Sequence, residues 1–178
     1  MTLAAGRYEI GADRDRLVLK TSREGLAATA GHDLIIDVTR WSGEVTVSGD
    51  SAALQARIDL RSLAVREGTG GVVALSARDK REIEANAARS MAVDRYPEAT
   101  FDEATFESGV ISGTLRLAGQ SGPIRLRVSE TGPGTYHATG SVVQTSFGIK
   151  PYRGFFGALK VRDAVDVEVD VDLSGPGS

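Results

Sequence analysis

The segment VRDAVDVEVDVDL, residues 161–173, decides the fold class of this chain. Aliphatic side chains at every second position from Val165 to Leu173 alternate with acidic ones. Successive side chains of a β-strand point to opposite faces, so this pattern predicts a strand with one dry face and one wet face. The acids of the wet face are typical of a solvated surface and do not indicate a catalytic pair.

The same period of two recurs upstream, and turn residues separate the runs. The four other clear runs are HDLIIDVTRW (32–41), LQARIDL (54–60), VISGTLRLAG (110–119) and GPIRLRVSE (122–130). Glycine- and proline-rich turns follow the later runs, as at Thr131–Gly134. Strands that succeed one another at about ten residues predict an antiparallel meander, closed as a barrel or packed as a sandwich.

One segment departs from this pattern and predicts a helix. SARDKREIEANAARSMAVDRYP, residues 76–97, is rich in helix-forming residues. Ser76 followed by Asp79 fits an N-cap with an acid three residues on. Ile83, Ala87 and Met91 share one face at helical spacing. The predicted fold is therefore all-β with one inserted α-helix, in a single domain over residues 1–173 with a frayed tail at 174–178.

Composition limits the partners. The net charge of −3 disfavours nucleic acid, whose phosphates require a basic surface. No run approaches the ~20 apolar residues of a membrane span, so we expect no stable membrane insertion. The short apolar stretch after Met1 is not a secretory signal, which predicts a cytoplasmic protein. An exposed edge strand can pair with a second copy of the chain, so a homodimer remains an alternative.

The residues offer little material for catalysis or metal binding. There is no Cys, and the chain has two His, His32 and His137, whereas zinc usually takes three or four protein ligands. We therefore expect no metal, no cofactor and no catalytic residue. His32 has two readings: a histidine that hydrogen-bonds a neighbouring loop, or a general base oriented by Asp79 or a strand acid in an enzyme acting on a lipid or quinone precursor.

The segment QTSFGIKPYRGFFGALK, residues 144–160, holds three of the five Phe of the chain: Phe147, Phe155 and Phe156. Its three glycines and Pro151 disfavour a long helix or strand. The rings either plug one end of the barrel or border an apolar cavity, because a barrel of about eight strands has room for side chains or for one small ligand. Composition leaves plug and cavity equally open.

Ordered motifs across the chain resemble the YceI-like family. They are GRYEI (6–10), GHDL (31–34), ARDKREI (77–83), DRYPEATF (94–101), GTLRLAG (113–119), SFGI (146–149) and the last strand. The resemblance implies a lipocalin-like antiparallel barrel of about eight strands. It also implies that a polyisoprenoid or related long-chain lipid is threaded through an apolar interior.

The leading expectation is therefore a non-catalytic carrier or sequestering protein for a polyisoprenoid, an isoprenoid quinone or a related lipid. The enzyme and a plugged barrel that binds another protein are the alternatives. The residues expected to contact the ligand are His32, Leu34, Ile36, Phe101, Phe147, Ile149, Phe155 and Phe156.

Overall fold

The computed structural model describes residues 3–154 and 157–175, and its elements are almost all antiparallel strands. The strands are β1 (Gly6–Gly11), β2 (Arg16–Thr21), β3 (Arg23–Glu24), β4 (Asp33–Val38), β5 (Trp41–Ser48), β6 (Ser51–Asp59), β7 (Leu63–Thr69), β8 (Glu98–Glu107), β9 (Val110–Leu117), β10 (Gln120–Gly132), β11 (Thr135–Val143), β12 (Arg153–Gly154), β13 (Leu159–Val161) and β14 (Ala164–Asp172). The helix α1 (Ala77–Ser90) stands between β7 and β8. Short 3₁₀ turns occupy Ala28–Ala30, Leu60–Ser62 and Gln144–Phe147.

The strand pairs close into a barrel. Three pairs of consecutive strands, β1 with β2, β4 with β5 and β6 with β7, act as single bent strands, because both halves of each pair with the same neighbouring segment. From β6 the sheet continues through β8, β9, β10, β11 and β14, and β14 pairs with β2. The ring therefore contains eight antiparallel strands. The predicted antiparallel barrel with one inserted α-helix is confirmed for the part of the chain that the structure describes.

Two buried polar side chains hold the bends. Asp15, at the break between β1 and β2, accepts hydrogen bonds from the backbone N–H groups of Gly11 (2.8 Å) and Asp172 (3.0 Å). Ser62, at the break between β6 and β7, accepts from the Arg40 N–H at 2.9 Å and donates to the Asp59 carbonyl at 2.7 Å. Each bend interrupts the hydrogen-bond ladder between strands. These side chains bond to the backbone groups that have no partner in the ladder.

Helix α1 covers the free edge of β7. Glu84 accepts a hydrogen bond from the Val65 N–H at 2.8 Å, and the Lys80 ammonium donates to the Arg66 carbonyl at 2.7 Å. These side chains satisfy backbone groups on an edge that would otherwise be a template for pairing. The homodimer considered from sequence stays a prediction, and this edge is not the place for it.

The predicted tail begins where the barrel ends. Ser174 donates from its N–H and its hydroxyl to the Asp172 carboxylate, at 2.9 and 2.5 Å. Residues 176–178 of the predicted tail lie outside the described residues.

Candidate ligand-binding site

The barrel encloses a cavity of about 860 Å³. Its wall is built from the inward-facing residues of the alternating strands, which are mostly Leu, Ile, Val and Ala. On β14 and just beyond it, the inward residues are Val165, Val167, Val169, Val171 and Leu173. The period of two that predicts a dry face thus places five aliphatic side chains on the cavity wall. Small-molecule sites are usually cavities of 300–1,000 Å³ with apolar walls, and this cavity falls in that range.

Buried side chains fill one end of the barrel. Tyr8, Val47, Tyr136 and Leu173 pack there in one cluster with Trp41, which is 8% exposed. The Tyr8 hydroxyl donates to the Ala4 carbonyl at 2.8 Å. Burial is the main cause that raises the pKa of Tyr136, so this phenol stays neutral. This cluster forms the closed end of the cavity.

The other end, here called the mouth, is formed by residues 22–32, residues 70–76, helix α1, residues 144–154 and residues 157–162. Three residues of the wall are strongly exposed there: Val72 (83%), Val73 (74%) and Tyr152 (50%). Exposed residues that also line the cavity show that it reaches solvent at this end. The ends of the cavity therefore differ, one packed with apolar side chains and one open.

Helix α1 lies along the mouth. Its start has the predicted capping box: Ser76 Oγ accepts from the Asp79 N–H at 3.2 Å, and Asp79 accepts from the Ser76 N–H at 2.8 Å. These Ser76 hydrogen bonds are the main cause that lowers the pKa of Asp79. The predicted face with Ile83, Ala87 and Met91 lines the cavity, although no residue of α1 is fully buried.

A small three-stranded sheet ties two loops of the mouth together. β12 pairs with β13, and β13 pairs with β3, in the order β12-β13-β3. The Ala27 N–H donates to the Ala158 carbonyl at 2.9 Å, and the Arg162 N–H donates to the Ser22 carbonyl at 2.7 Å. The segment that the sequence marks as unfavourable for long elements thus contains short ones, which fix it against residues 22–32.

His32 holds the third loop of the mouth. Its Nε2 lies 2.8 Å from the Val73 carbonyl oxygen, and since a carbonyl only accepts, Nε2 is the donor of this hydrogen bond. Gly71, at φ 74°, runs so close that a Cβ there would lie 2.4 Å from Nε2. This geometry matches the reading of His32 as a loop-binding histidine. The Asp79 carboxylate accepts hydrogen bonds from Ser76, and among the described residues none joins it to His32 as a catalytic base would require.

The structure brings five of the eight expected ligand-contact residues together. Those on the cavity wall are His32, Leu34, Ile36, Phe101 and Ile149. Phe155 and Phe156 lie outside the described residues, so their expected contact stays a prediction.

Phe147 lies elsewhere than expected. It is 2% exposed, is not part of the cavity wall, and packs with Leu60, Val93 and Leu117 over Gly122. The physical reason is Gly148, whose left-handed backbone (φ 68°) ends the 3₁₀ turn and reverses the chain. Phe147 and Ile149 pack in the same cluster, but of the two only Ile149 also lines the cavity.

Sequence reasoning missed Trp41, the single Trp of the chain, which lines the cavity. The run Trp41, Gly43, Val45, Val47 has the same period of two as the other strands and is the signal that points to it. Trp41 Nε1 and Thr21 Oγ1 are buried and have no hydrogen-bond partner among the described residues, and both residues belong to the wall.

Within residues 3–154 and 157–175, no three His, Asp or Glu side chains come together as a metal site. No helix in the same ranges is long and apolar enough to cross a membrane.

Comparison with known proteins agrees with this architecture. The YceI-like domain matches residues 16–173, which is most of the chain. The chain belongs to the YceI-like family. The match begins at β2, but β1 pairs with β5 along its whole length and so completes the same YceI-like barrel.

Two solved structures are similar to this YceI-like chain. One is the YceI protein of Campylobacter jejuni in a crystal form with large solvent channels, at 13% identity and a TM-score of 0.51. The other is a mutant CJ YceI protein with a monobromobimane guest, at 14% identity and a TM-score of 0.52. Each covers 76% of this chain and 81% of its own, and at this identity the likeness shows the fold. A comparison with curated proteins gives no match.

Proposed function

We propose that this YceI-like protein binds a long-chain apolar lipid inside the barrel and carries or sequesters it. The ligand class is a polyisoprenoid, an isoprenoid quinone or a related lipid. The observation that carries the proposal is the cavity of about 860 Å³, lined by aliphatic residues and open at the mouth. Burial of an apolar chain stabilises such a complex by about 25 cal/mol per Å².

The volume sets a length for the buried part of the ligand. A water-sized group occupies roughly 30 Å³, so the cavity of about 860 Å³ holds on the order of 30 such groups. This corresponds to about six five-carbon isoprene units. A longer chain extends through the mouth, so affinity rises with chain length up to about this size and then levels off.

Trp41 gives a direct assay, because it is the single Trp and lies in the cavity wall. A fatty acid that carries a nitroxide quencher on its chain should quench Trp41 fluorescence on entering the barrel. Geranylgeraniol and a decyl-substituted benzoquinone are the competing probes. Native mass spectrometry of protein purified from its own host identifies the bound lipid directly.

Two alanines on one strand give a matched pair of variants. Ala56 on β6 lines the cavity, whereas Ala53 on the same strand is exposed on the outer face. Ala56→Phe fills space for about six carbon atoms, each worth about 0.8 kcal/mol, and should weaken probe binding at least tenfold. Ala53→Phe should leave binding unchanged. Equal affinity for the two variants, or no quenching in the parent protein, contradicts the proposal.

The enzyme alternative gains no support from the geometry of His32, whose Nε2 is bonded to the Val73 carbonyl. We therefore propose a binding protein without turnover. Conversion of a prenyl alcohol or quinone probe that is lost in His32→Ala would contradict this.

A further inference from the structure

The mouth carries exposed apolar side chains that no contact within the described chain explains. Leu26, on the loop between β3 and β4, is fully exposed, and Val72 and Val73 stand out beside the cavity opening. Single exposed apolar residues are ordinary, but three at one opening mark an interaction surface. We infer that the mouth docks on an anionic lipid bilayer, so that the ligand passes between membrane and cavity without crossing water. This inference rests on the proposed carrier function.

The loops that carry these residues form one surface. The short sheet β12-β13-β3 joins residues 153–154 and 159–161 to residues 22–32. His32 joins residues 22–32 to the loop of Val72 and Val73 through its bond to the Val73 carbonyl. The Arg23 guanidinium, which donates to the Gly31 carbonyl, lies against Gly70 of the same loop. The exposed apolar side chains are therefore held around one opening.

The charged residues of the mouth indicate which kind of partner surface it binds. Residues 144–162 contain four Lys or Arg and no Asp or Glu, in a chain whose net charge is −3. Of these four, Lys150, Arg153 and Arg162 are exposed. Lys160 is opposite Glu24 on β3, which offsets its charge. Cations beside exposed aliphatic residues match an anionic headgroup layer above an acyl interior, because such a layer attracts basic residues while apolar tips enter it.

Two further acids of the mouth belong to helix α1. Asp79 and Glu82 line the cavity from helix α1, and Asp79 is occupied by the capping box. Helix α1 also carries Arg78, Lys80 and Arg81, so it does not make the opening acidic as a whole. A bilayer can contact residues 150–153, Leu26 and Val72 without touching the face of α1 that points away from the opening.

The docking test uses co-sedimentation of the full chain with two kinds of vesicle. One kind is phosphatidylcholine alone, and the other is phosphatidylcholine mixed with phosphatidylglycerol. The parent protein should bind the mixed vesicles and bind much less to phosphatidylcholine alone. Binding should weaken as salt is raised, because exposed charges are screened.

Variants outside the cavity wall separate docking from ligand binding. Leu26, Lys150 and Arg153 are not part of the wall. The double variant Lys150→Gln/Arg153→Gln should lose roughly tenfold to thirtyfold in affinity for mixed vesicles, given the attraction of each cation near an anionic surface. Leu26→Ser should also weaken vesicle binding. Both should keep quenching of Trp41 by the nitroxide fatty acid.

The matched control is Arg125→Gln/Arg127→Gln, which removes the same charge from exposed positions on β10, away from the mouth. It should bind the mixed vesicles like the parent. If the parent binds neither kind of vesicle while Trp41 quenching is intact, the docking inference is overturned and the carrier function stands. Equal losses in the β10 and mouth double variants also overturn it, since attraction would then follow net charge alone. If quenching itself fails, the carrier function is the one refuted.

Discussion

Replacement of Phe147 by Ala should destabilise the protein strongly and leave ligand binding almost unchanged. The ring is 2% exposed and packs on Gly122, where a Cβ would lie 3.2 Å from the ring Cζ. Loss of a fully packed Phe opens a void and costs about 3–5 kcal/mol. For a chain of this size, that corresponds to a fall in melting temperature of roughly 6–20 °C.

The assay is guanidinium unfolding followed by Trp41 fluorescence, since Trp41 belongs to a different cluster and therefore reports on the whole barrel. The control is Phe106→Ala, because Phe106 is half-buried and lines the cavity. That variant should lose less stability and change probe affinity more. A loss below about 1 kcal/mol in Phe147→Ala, together with weakened probe binding, would refute the reasoning and return Phe147 to the cavity wall.

Three further predictions concern polar groups. Asp15→Ala should cost about 2 kcal/mol in the free energy of unfolding, measured in urea, because two backbone N–H groups lose their carboxylate partner. His32→Ala should speed release of the nitroxide fatty acid in a stopped-flow chase, since the loop at Val73 loses its anchor; an unchanged rate would show that this loop does not limit exit. Ser76 holds the pKa of Asp79 below its ordinary value, so the stabilisation is full above the unfolded value of about 4 and is lost as pH falls through the native pKa. Asp79→Asn should therefore flatten the acid side of the melting-temperature profile, and a profile identical to that of the parent would contradict this sign.

Alternation made the barrel predictable from sequence. The five aliphatic side chains from Val165 to Leu173 face one way because the period of a strand is two, and the structure places all five on the cavity wall. Helix α1 was predictable for a similar local reason, since its capping box uses two residues three positions apart. Signals of this kind need no knowledge of distant parts of the chain.

The bends and the position of Phe147 were not predictable in this way. Asp15 and Ser62 hold the bent strands through backbone groups far away in sequence, as in the bond from the Asp172 N–H. Phe147 and Ile149 are two residues apart and share one cluster, yet with Gly148 in the left-handed conformation only Ile149 reaches the cavity wall. Neither effect alters the alternation of apolar and polar residues, so it cannot be predicted from composition or spacing.

A cavity that is filled at one end and open at the other has a direction. An elongated guest with one polar end enters tail first, so its last atoms to lose water are those nearest the polar end. In the proposed complex the polar end would stand at the opening, where Arg23, His32 and Lys160 line the wall. An enzyme that modifies this end could therefore work on the guest while the tail remains sheltered, without first unloading it.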